Sequence, residues 1–348
     1  MMGPAISMDQ PAVQPRQGVL VHGGDLADAA SLFPQAPGPW IDLSTGINPW
    51  PYPVPDLPGA SWTRLPGKAA EAALLRAAAD AYGVPDPALL AAAPGSQILI
   101  QTLPFLRLPG TVAILSPTYG EHAPAWERAG HQVSLIHTLP DPDKGPLPDV
   151  LVLVNPNNPD GRLIVPDILL RWQERLAARG GWLVVDEAFA DLVPESSLAP
   201  YAGREGLVIL RSFGKFFGLA GLRLGFLAAP VSLVQALTGR LGPWAVPGPA
   251  LELGAMALAD RPWQDRMRGQ LAQARAGLDA ILAGGGREIV GGTDLYRLIR
   301  LEDAPDLFTR LGQAAIWVRR FPDRPDWLRL GLPPDVAAME RLAGVLRL

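Results

Sequence analysis

Short apolar runs without polar alternation constrain the fold of this 348-residue chain more than any other feature. The clearest are Val112–Leu115, Val150–Val154, Trp182–Val185 and Val208–Leu210. A strand with one wetted face alternates apolar and polar residues, so these runs predict strands buried on both faces of a largely parallel sheet. A helical pattern over Ile168–Ala178 separates two of the runs. Strands that alternate with helices indicate an α/β domain with ligands at the carboxyl ends of the strands.

The pattern changes after Pro230. Residues 250–282 predict one extended helix or two, ended by three consecutive glycines. Strand-like pieces at 295–301, 316–318 and 328–330 then precede a closing helix from Pro334. We therefore expect three parts, namely an N-terminal arm or small-domain segment over 1–47, a large domain over 48–235 and a smaller α+β domain over 236–348.

The composition argues against several classes of function. A formal net charge of −4 leaves no basic surplus for a phosphate backbone, so nucleic acid is not expected as a partner. The chain has no cysteine, which excludes disulfides, thiolate zinc sites and cysteine nucleophiles, and we expect no metal. No apolar run reaches the roughly 18 residues of a membrane-spanning helix. Residues 1–17 have no signal-peptide pattern and indicate a loose arm, so we expect a cytoplasmic location without membrane contact.

A lysine segment follows the run Val208–Leu210 and has the chemistry of a carbonyl-binding site. Lys215 lies among Gly and Phe residues in the sequence RSFGKFFGLAGLRLG, residues 211–225. Burial lowers the pKa of a lysine and favours the neutral amine, which reacts with aldehydes. Ser212 and Arg223 flank Lys215 and could bind a phosphate dianion, the arginine through a bidentate contact. The segment resembles the lysine segment of fold-type I pyridoxal-5′-phosphate (PLP) enzymes, most closely histidinol-phosphate aminotransferases and their relatives.

Further motifs of that family occur in the same order, each at a predicted strand or helix end. Alone, each would be a turn, a helix cap or a half-buried aromatic residue. They are PGSQ at 94–97, SPTY at 116–119, NPNNPDG at 155–161 and VVDEAF at 184–189. Gly and Ser at the start of a helix present free N–H groups to a phosphate. The resemblance implies an α/β fold-type I transferase fold and a PLP site formed by Lys215, Asp186, Asn158, Tyr119, Gly95, Ser96, Gln97, Ser212 and Arg223.

Within that site, the resemblance gives each residue a role. Lys215 would hold PLP covalently, and Asp186 would pair with the pyridine nitrogen so that the ring acts as an electron sink. Asn158 would contact the ring oxygen, and Tyr119 would stack on the ring. The catalytic residues are therefore expected to be Lys215 and Asp186.

Substrate binding is expected at both ends of the chain. Arg329, in the sequence WLRL, matches the arginine that usually binds the substrate α-carboxylate in this family, and Arg319 matches the one associated with a substrate phosphate. The segments VHGGD at 21–25 and IDLSTGINP at 41–49 resemble the start of the L-threonine-O-3-phosphate decarboxylases of cobalamin biosynthesis. His22, Gly23 and Gly24 could bind a phosphate through backbone N–H groups and one imidazole. Asn48 is a further candidate.

The choice of reaction depends on two departures from the aminotransferase pattern. Phe189 stands where aminotransferase relatives generally have a tyrosine that donates to the ring oxygen, and Leu65 stands where many have a tyrosine that reaches the partner subunit's cofactor phosphate. The resemblance therefore implies decarboxylation of L-threonine O-3-phosphate, a small phosphorylated amino acid, by a homodimer. One alternative is a histidinol-phosphate aminotransferase. An alternative of another class is a non-catalytic, PLP-binding regulatory protein.

Overall fold

The structure is a computed structural model that describes residues 23–347, so the predictions for His22 and for residues 1–17 lie outside the described residues. Within 23–347, twelve strands form two sheets, and twelve α-helices surround them. The strands are β1 Ile41–Leu43, β2 Leu90–Ala93, β3 Thr111–Leu115, β4 Gln132–Ile136, β5 Val150–Val154, β6 Trp182–Asp186, β7 Leu207–Ser212, β8 Gly225–Ala228, β9 Glu288–Thr293, β10 Tyr296–Arg300, β11 Ile316–Phe321 and β12 Arg324–Gly331. The helices are α1 Leu26–Leu32, α2 Gly59–Thr63, α3 Lys68–Tyr82, α4 Ser96–Thr102, α5 His122–Arg128, α6 Pro166–Ala177, α7 Phe213–Phe216, α8 Val231–Leu241, α9 Gly248–Ala259, α10 Arg261–Gly284, α11 Ala304–Gln313 and α12 Val336–Leu346.

The larger sheet has seven strands in the order β2-β8-β7-β6-β5-β3-β4. Strands β3 to β7 are mutually parallel, and β8 is antiparallel to its neighbours β7 and β2. The four apolar runs of the sequence form β3, β5, β6 and β7 at the centre of this sheet, where helices cover both faces and nearly every side chain is buried. The predicted α/β fold with a largely parallel sheet is confirmed.

The sequence pattern did not predict three strands of this sheet. Strand β4 is an edge strand with largely exposed side chains, so it lacks the apolar signature of its neighbours. Strands β2 and β8 contain small residues that the pattern leaves undecided between strand and turn. The long helical segment over 250–282 is two helices, because the chain turns at Asp260, whose carboxylate accepts a hydrogen bond from Trp263 N at 3.0 Å and caps α10.

The smaller sheet has the order β1-β11-β12-β10-β9. Strand β1, from the N-terminal segment, pairs in parallel with β11, which brings Ser44 and the residues after it close to β12 and Arg329. Helix α9 packs against α3, although the predicted division at residue 235 assigns these helices to different domains. The three-part division of the chain therefore remains an interpretation. None of the helices within 23–347 combines the length and apolar character needed to cross a membrane.

Candidate active site

A cavity of about 1150 Å³ lies at the carboxyl edge of the seven-stranded sheet, where β11 and β12 of the smaller sheet close over it. Strands β3, β5, β6 and β7 all end at this edge because they are parallel, and so does β2. Motifs that are far apart in the sequence therefore meet there. The predicted site residues that line the cavity are Gly23, Gly95, Ser96, Gln97, Tyr119, Asn158, Asp186, Ser212, Lys215, Arg223, Arg319 and Arg329.

Lys215 lies in the short helix α7, directly after β7, and its partly buried side chain reaches the cavity. Burial, together with the nearby guanidinium groups of Arg329 and Arg223, lowers the pKa of the Lys215 amine to about 8, against the opposing effect of Asp186. A substantial fraction of this amine is therefore neutral at a pH near 8, as nucleophilic attack on an aldehyde requires.

Asn48 and Gly24 do not line the cavity, in contrast to their predicted role in substrate binding. The side-chain amide of Asn48 donates to the carbonyl of Phe216 at 2.8 Å and accepts from Trp50 N at 2.8 Å, while its backbone N–H donates to the Lys215 carbonyl at 2.9 Å. The N–H of Gly24 donates to Ser44 Oγ at 2.8 Å. Asn48 thus supports the lysine turn, and the Gly24 N–H already has a partner within the protein.

Asp186 lies at the end of β6 and is buried, and both of its carboxylate oxygens are held in place. Oδ1 accepts from Ala188 N at 3.1 Å, and Oδ2 lies 3.1 Å from His122 Nε2. The sequence analysis missed His122. The available signal was its position three residues after Tyr119, at the start of α5, which follows β3 at the same edge of the sheet. An ionised Asp186 requires the Nε2–H tautomer of His122 at this contact.

Two hydroxyls and one guanidinium converge at the N-terminus of α4. Ser96 Oγ and Ser212 Oγ are 2.5 Å apart. The Arg223 guanidinium lies against the backbone of Gly95, where a Cβ would be 2.6 Å from one guanidinium nitrogen. Gly95 has a φ of +87°, so this position favours glycine both by conformation and by space. The cluster has the donors that a phosphate dianion requires.

Tyr119 is held by a hydrogen-bonded chain. Its hydroxyl donates to Gln97 Oε1 at 3.0 Å, and Gln97 Nε2 donates to Glu121 Oε2 at 3.2 Å. Burial raises the pKa of the Tyr119 hydroxyl to about 12, so it remains a donor at neutral pH. Gln97 therefore orients the aromatic ring at the cavity wall, a contact that the sequence motif alone did not predict.

Arg329 and Arg319 approach the cavity from the smaller sheet. Arg329 donates to Asn158 Oδ1 and to the Ser44 carbonyl, the latter at 2.7 Å. Its Nε and one terminal nitrogen of Arg319 are buried and have no hydrogen-bond partner within residues 23–347. Burial lowers the pKa of Arg329 to about 10 and also lowers that of Arg319. Both groups remain cationic at neutral pH and have donors available for anions.

The groups present fit PLP. A partly buried lysine of lowered pKa suits the aldehyde, and the carboxylate of Asp186, held by His122, suits the pyridine nitrogen. The cluster of Ser96, Ser212 and Arg223 suits the phosphate. All three line one cavity. The fold and the site together define a fold-type I PLP enzyme.

Comparison with known proteins agrees with this class. Residues 59–346 match the family described as aminotransferase class I and II, and the chain belongs to that family. It is 45% identical over 94% of its length to the threonine-phosphate decarboxylase of Pseudomonas aeruginosa, of which it covers 97%. It is also 45% identical to the threonine-phosphate decarboxylase of Sinorhizobium sp., over 94% of this chain and 97% of that protein. The fold superposes with a TM-score of 0.79 at 20% identity on histidinol-phosphate aminotransferase from Sinorhizobium meliloti in complex with pyridoxal-5′-phosphate, covering 98% of both chains.

Proposed function

We propose that this protein is a PLP-dependent lyase that decarboxylates L-threonine O-3-phosphate to (R)-1-aminopropan-2-yl phosphate for cobalamin biosynthesis. The observation that carries the proposal is a pair of cationic arginines, the buried Arg329 and the half-buried Arg319, with unfilled donors in the same cavity as Lys215. A substrate with a carboxylate and a phosphate supplies two anions to match them. The high identity to threonine-phosphate decarboxylases over nearly the whole chain supports the same substrate.

The cofactor end of the cavity supports the chemistry. Bound PLP supplies an electron sink for the electron pair that is left at Cα when one of its bonds breaks. Asp186, fixed by His122, would face the pyridine nitrogen and keep it protonated. Lys215 would hold the cofactor and then deliver a proton to Cα after carbon dioxide has left. Carboxylate loss and proton gain balance, so the reaction needs no keto acid.

The substrate end of the cavity supports the choice of bond. We assign the α-carboxylate to Arg329 and the phosphate to Arg319, with Gly23 also on the cavity wall. Two fixed anions limit rotation of the substrate about Cα, which allows the Cα–carboxylate bond to be held out of the ring plane. Binding energy from the phosphate would then contribute to catalysis at a distant carbon.

Phe189 favours the decarboxylase over the aminotransferase alternative. Its buried ring lines the cavity and meets the Tyr296 ring edge to face, with centroids 5.2 Å apart. A phenylalanine cannot donate a hydrogen bond to the cofactor ring oxygen, as the tyrosine of aminotransferase relatives does. The complete set of Lys215, Asp186 and Arg223 at one cavity argues against a non-catalytic regulatory protein.

A homodimer is part of the proposal. Large apolar side chains are exposed on α2, on α9 and on the segments beside them, namely Val54, Trp62, Leu65, Trp244 and Met256. Helices α2 and α9 are joined by a hydrogen bond of 2.7 Å from Ser61 Oγ to Glu252 Oε1, so Trp62 and Met256 lie on adjoining helices. A second copy of the chain would cover them. Sedimentation equilibrium should give twice the mass of the chain, and a monomer at micromolar concentration would contradict the assembly.

The cytoplasmic location remains a prediction.

The reaction is tested by assaying two products in parallel. The purified protein with PLP should release carbon dioxide from threonine phosphate when no keto acid is present. With histidinol phosphate and 2-oxoglutarate it should form no glutamate. Glutamate formation without carbon dioxide release would establish the aminotransferase instead, and PLP binding without either product would support the regulatory alternative.

A further inference from the structure

Tyr296 is a wholly buried tyrosine of β10 that neither the motifs nor the resemblance singled out. Its hydroxyl donates to the Asn157 carbonyl at 2.6 Å. This hydrogen bond joins the smaller sheet to the loop after β5, one residue before Asn158. Burial raises the pKa of the hydroxyl well above its usual value, so it stays protonated and remains a donor.

The ring of Tyr296 supports Arg329. The guanidinium carbon of Arg329 lies 5.0 Å from the ring centroid, within range of a cation–π contact. On another side the ring approaches Gly46 so closely that a Cβ there would be 2.8 Å from Tyr296 Cδ1. The aromatic ring is thus confined between Phe189, Gly46 and the arginine, and its position determines where the arginine can lie.

A second contact holds the same two segments together. Gly292 N, in β9, donates to the Asp160 carbonyl at 2.9 Å. A Cβ on Gly161 would lie 1.9 Å from the Gly292 carbonyl oxygen, so the two backbones meet without space for a side chain. The loop after β5 and the β9–β10 hairpin therefore pack as one unit, and the hydroxyl of Tyr296 adds a side-chain hydrogen bond to it.

We infer that Tyr296 is a positioning residue that fixes Arg329 relative to Asn158, and so sets where the substrate carboxylate binds. Arg329 has one hydrogen bond to Asn158 Oδ1 and one to the Ser44 carbonyl, which leaves Nε for a ligand. The ring of Tyr296 contacts the Arg329 guanidinium, and its hydroxyl binds the loop that contains Asn158. This inference rests on the proposed function, in which Arg329 binds the carboxylate.

The test compares two ligands that differ by one carboxylate. 3-Phosphoglycerate and 2-hydroxyethyl phosphate both lack an amino group, so neither can enter the reaction. Their dissociation constants for the PLP-loaded protein are measured by titration calorimetry. Wild-type protein should bind 3-phosphoglycerate more tightly, and Tyr296→Phe should weaken that binding roughly fivefold, as the loss of one hydrogen bond predicts. Tyr296→Phe should change the dissociation constant of 2-hydroxyethyl phosphate less than that of 3-phosphoglycerate.

Tyr82→Phe is the matched control. Tyr82 is also buried, and its hydroxyl has no hydrogen-bond partner within residues 23–347. This variant should leave both dissociation constants unchanged. Tyr296→Leu also removes the ring that contacts Arg329. It should therefore weaken the binding of 3-phosphoglycerate more than Tyr296→Phe does. If Tyr296→Leu fails to fold, Tyr296→Phe, which keeps the ring, still decides the question.

The inference is overturned if Tyr296→Phe and wild type bind 3-phosphoglycerate with equal dissociation constants. It is also overturned if the substitution weakens the binding of both ligands equally. If wild-type protein does not prefer the ligand with the carboxylate, the assignment of Arg329 and this inference fall together. If carbon dioxide is not released from threonine phosphate but Tyr296→Phe still loses the preference, the proposed reaction is wrong and the positioning role stands.

Discussion

Arg211 and the two cavity arginines, Arg329 and Arg319, differ in how their charge is balanced. Arg211, on β7, pairs with Glu187 at 2.9 Å and Asp191 at 2.6 Å. These carboxylates outweigh the effect of burial and raise the pKa of Arg211. Arg329 and Arg319, at the cavity, form no ion pair with a carboxylate in the part of the chain that the structure describes, and burial lowers the pKa of both. A buried cation without a counter-ion destabilises the fold, so the cavity arginines indicate a site that takes its anions from solution.

The two environments meet at a single peptide bond. Asp186 lines the cavity, whereas the next residue, Glu187, lies on the opposite side and pairs with Arg211. Consecutive side chains of extended chain point to opposite faces, so adjacent carboxylates serve different purposes here. One is placed for the cofactor, and the other neutralises a structural cation.

The largest expected effects come from replacing each of these two carboxylates by its amide. Asp186→Asn should remove most turnover and leave the fold intact, because a neutral amide no longer favours the protonated pyridine nitrogen. Glu187→Gln should lower the free energy of unfolding by about 3 to 5 kcal/mol, since it leaves part of the Arg211 charge unpaired. Carbon dioxide release and urea-induced unfolding measure the two effects. Near-normal turnover of Asp186→Asn with saturating PLP would show that its role is misassigned.

A smaller effect is expected at Arg319. Arg319→Ala should raise the KM for threonine phosphate by roughly 10- to 100-fold, as the loss of a charge-assisted hydrogen bond predicts. Activity on threonine, which has no phosphate, should change far less. Arg320→Ala is the control, because the Arg320 guanidinium lies over the Phe308 ring at 3.9 Å and does not line the cavity. Equal losses for both substrates would contradict phosphate binding by Arg319.

The smallest expected effect is a shift in pH dependence. The pKa of Lys215 is lowered to about 8, so its amine is neutral above that pH and protonated below it. The rate of PLP capture by the cofactor-free protein should therefore rise with pH through a midpoint near 8. Because Arg329 lowers this pKa, Arg329→Met should move the midpoint upward.

The attachment site is checked by borohydride reduction of the PLP-loaded protein followed by peptide mapping. The pyridoxyl group should be found on Lys215, and finding it on Lys68 or Lys144 would overturn the assignment.

The sequence predicted the parts of this site that depend on local pattern. Doubly buried strands show as continuous apolar runs, and their parallel arrangement brings the ends of β3, β5, β6 and β7 to one edge. Contacts across the fold leave no such pattern. His122, Ser44 and Tyr296 act through partners 64, 285 and 139 positions away in the sequence, so only the structure brings them to the site. Asn48 shows the converse, since its motif was found but its side chain supports the lysine turn.

The central claim is that the cavity breaks the Cα–carboxylate bond of threonine phosphate and leaves the Cα–H bond intact. Running the reaction in deuterium oxide without a keto acid tests this most directly. One solvent deuteron should replace the lost carboxylate, so nuclear magnetic resonance should find a single deuterium at carbon 1 of 1-aminopropan-2-yl phosphate, with one carbon dioxide released per product. Two deuterons at that carbon, or recovery of threonine phosphate deuterated at Cα without carbon dioxide release, would contradict it.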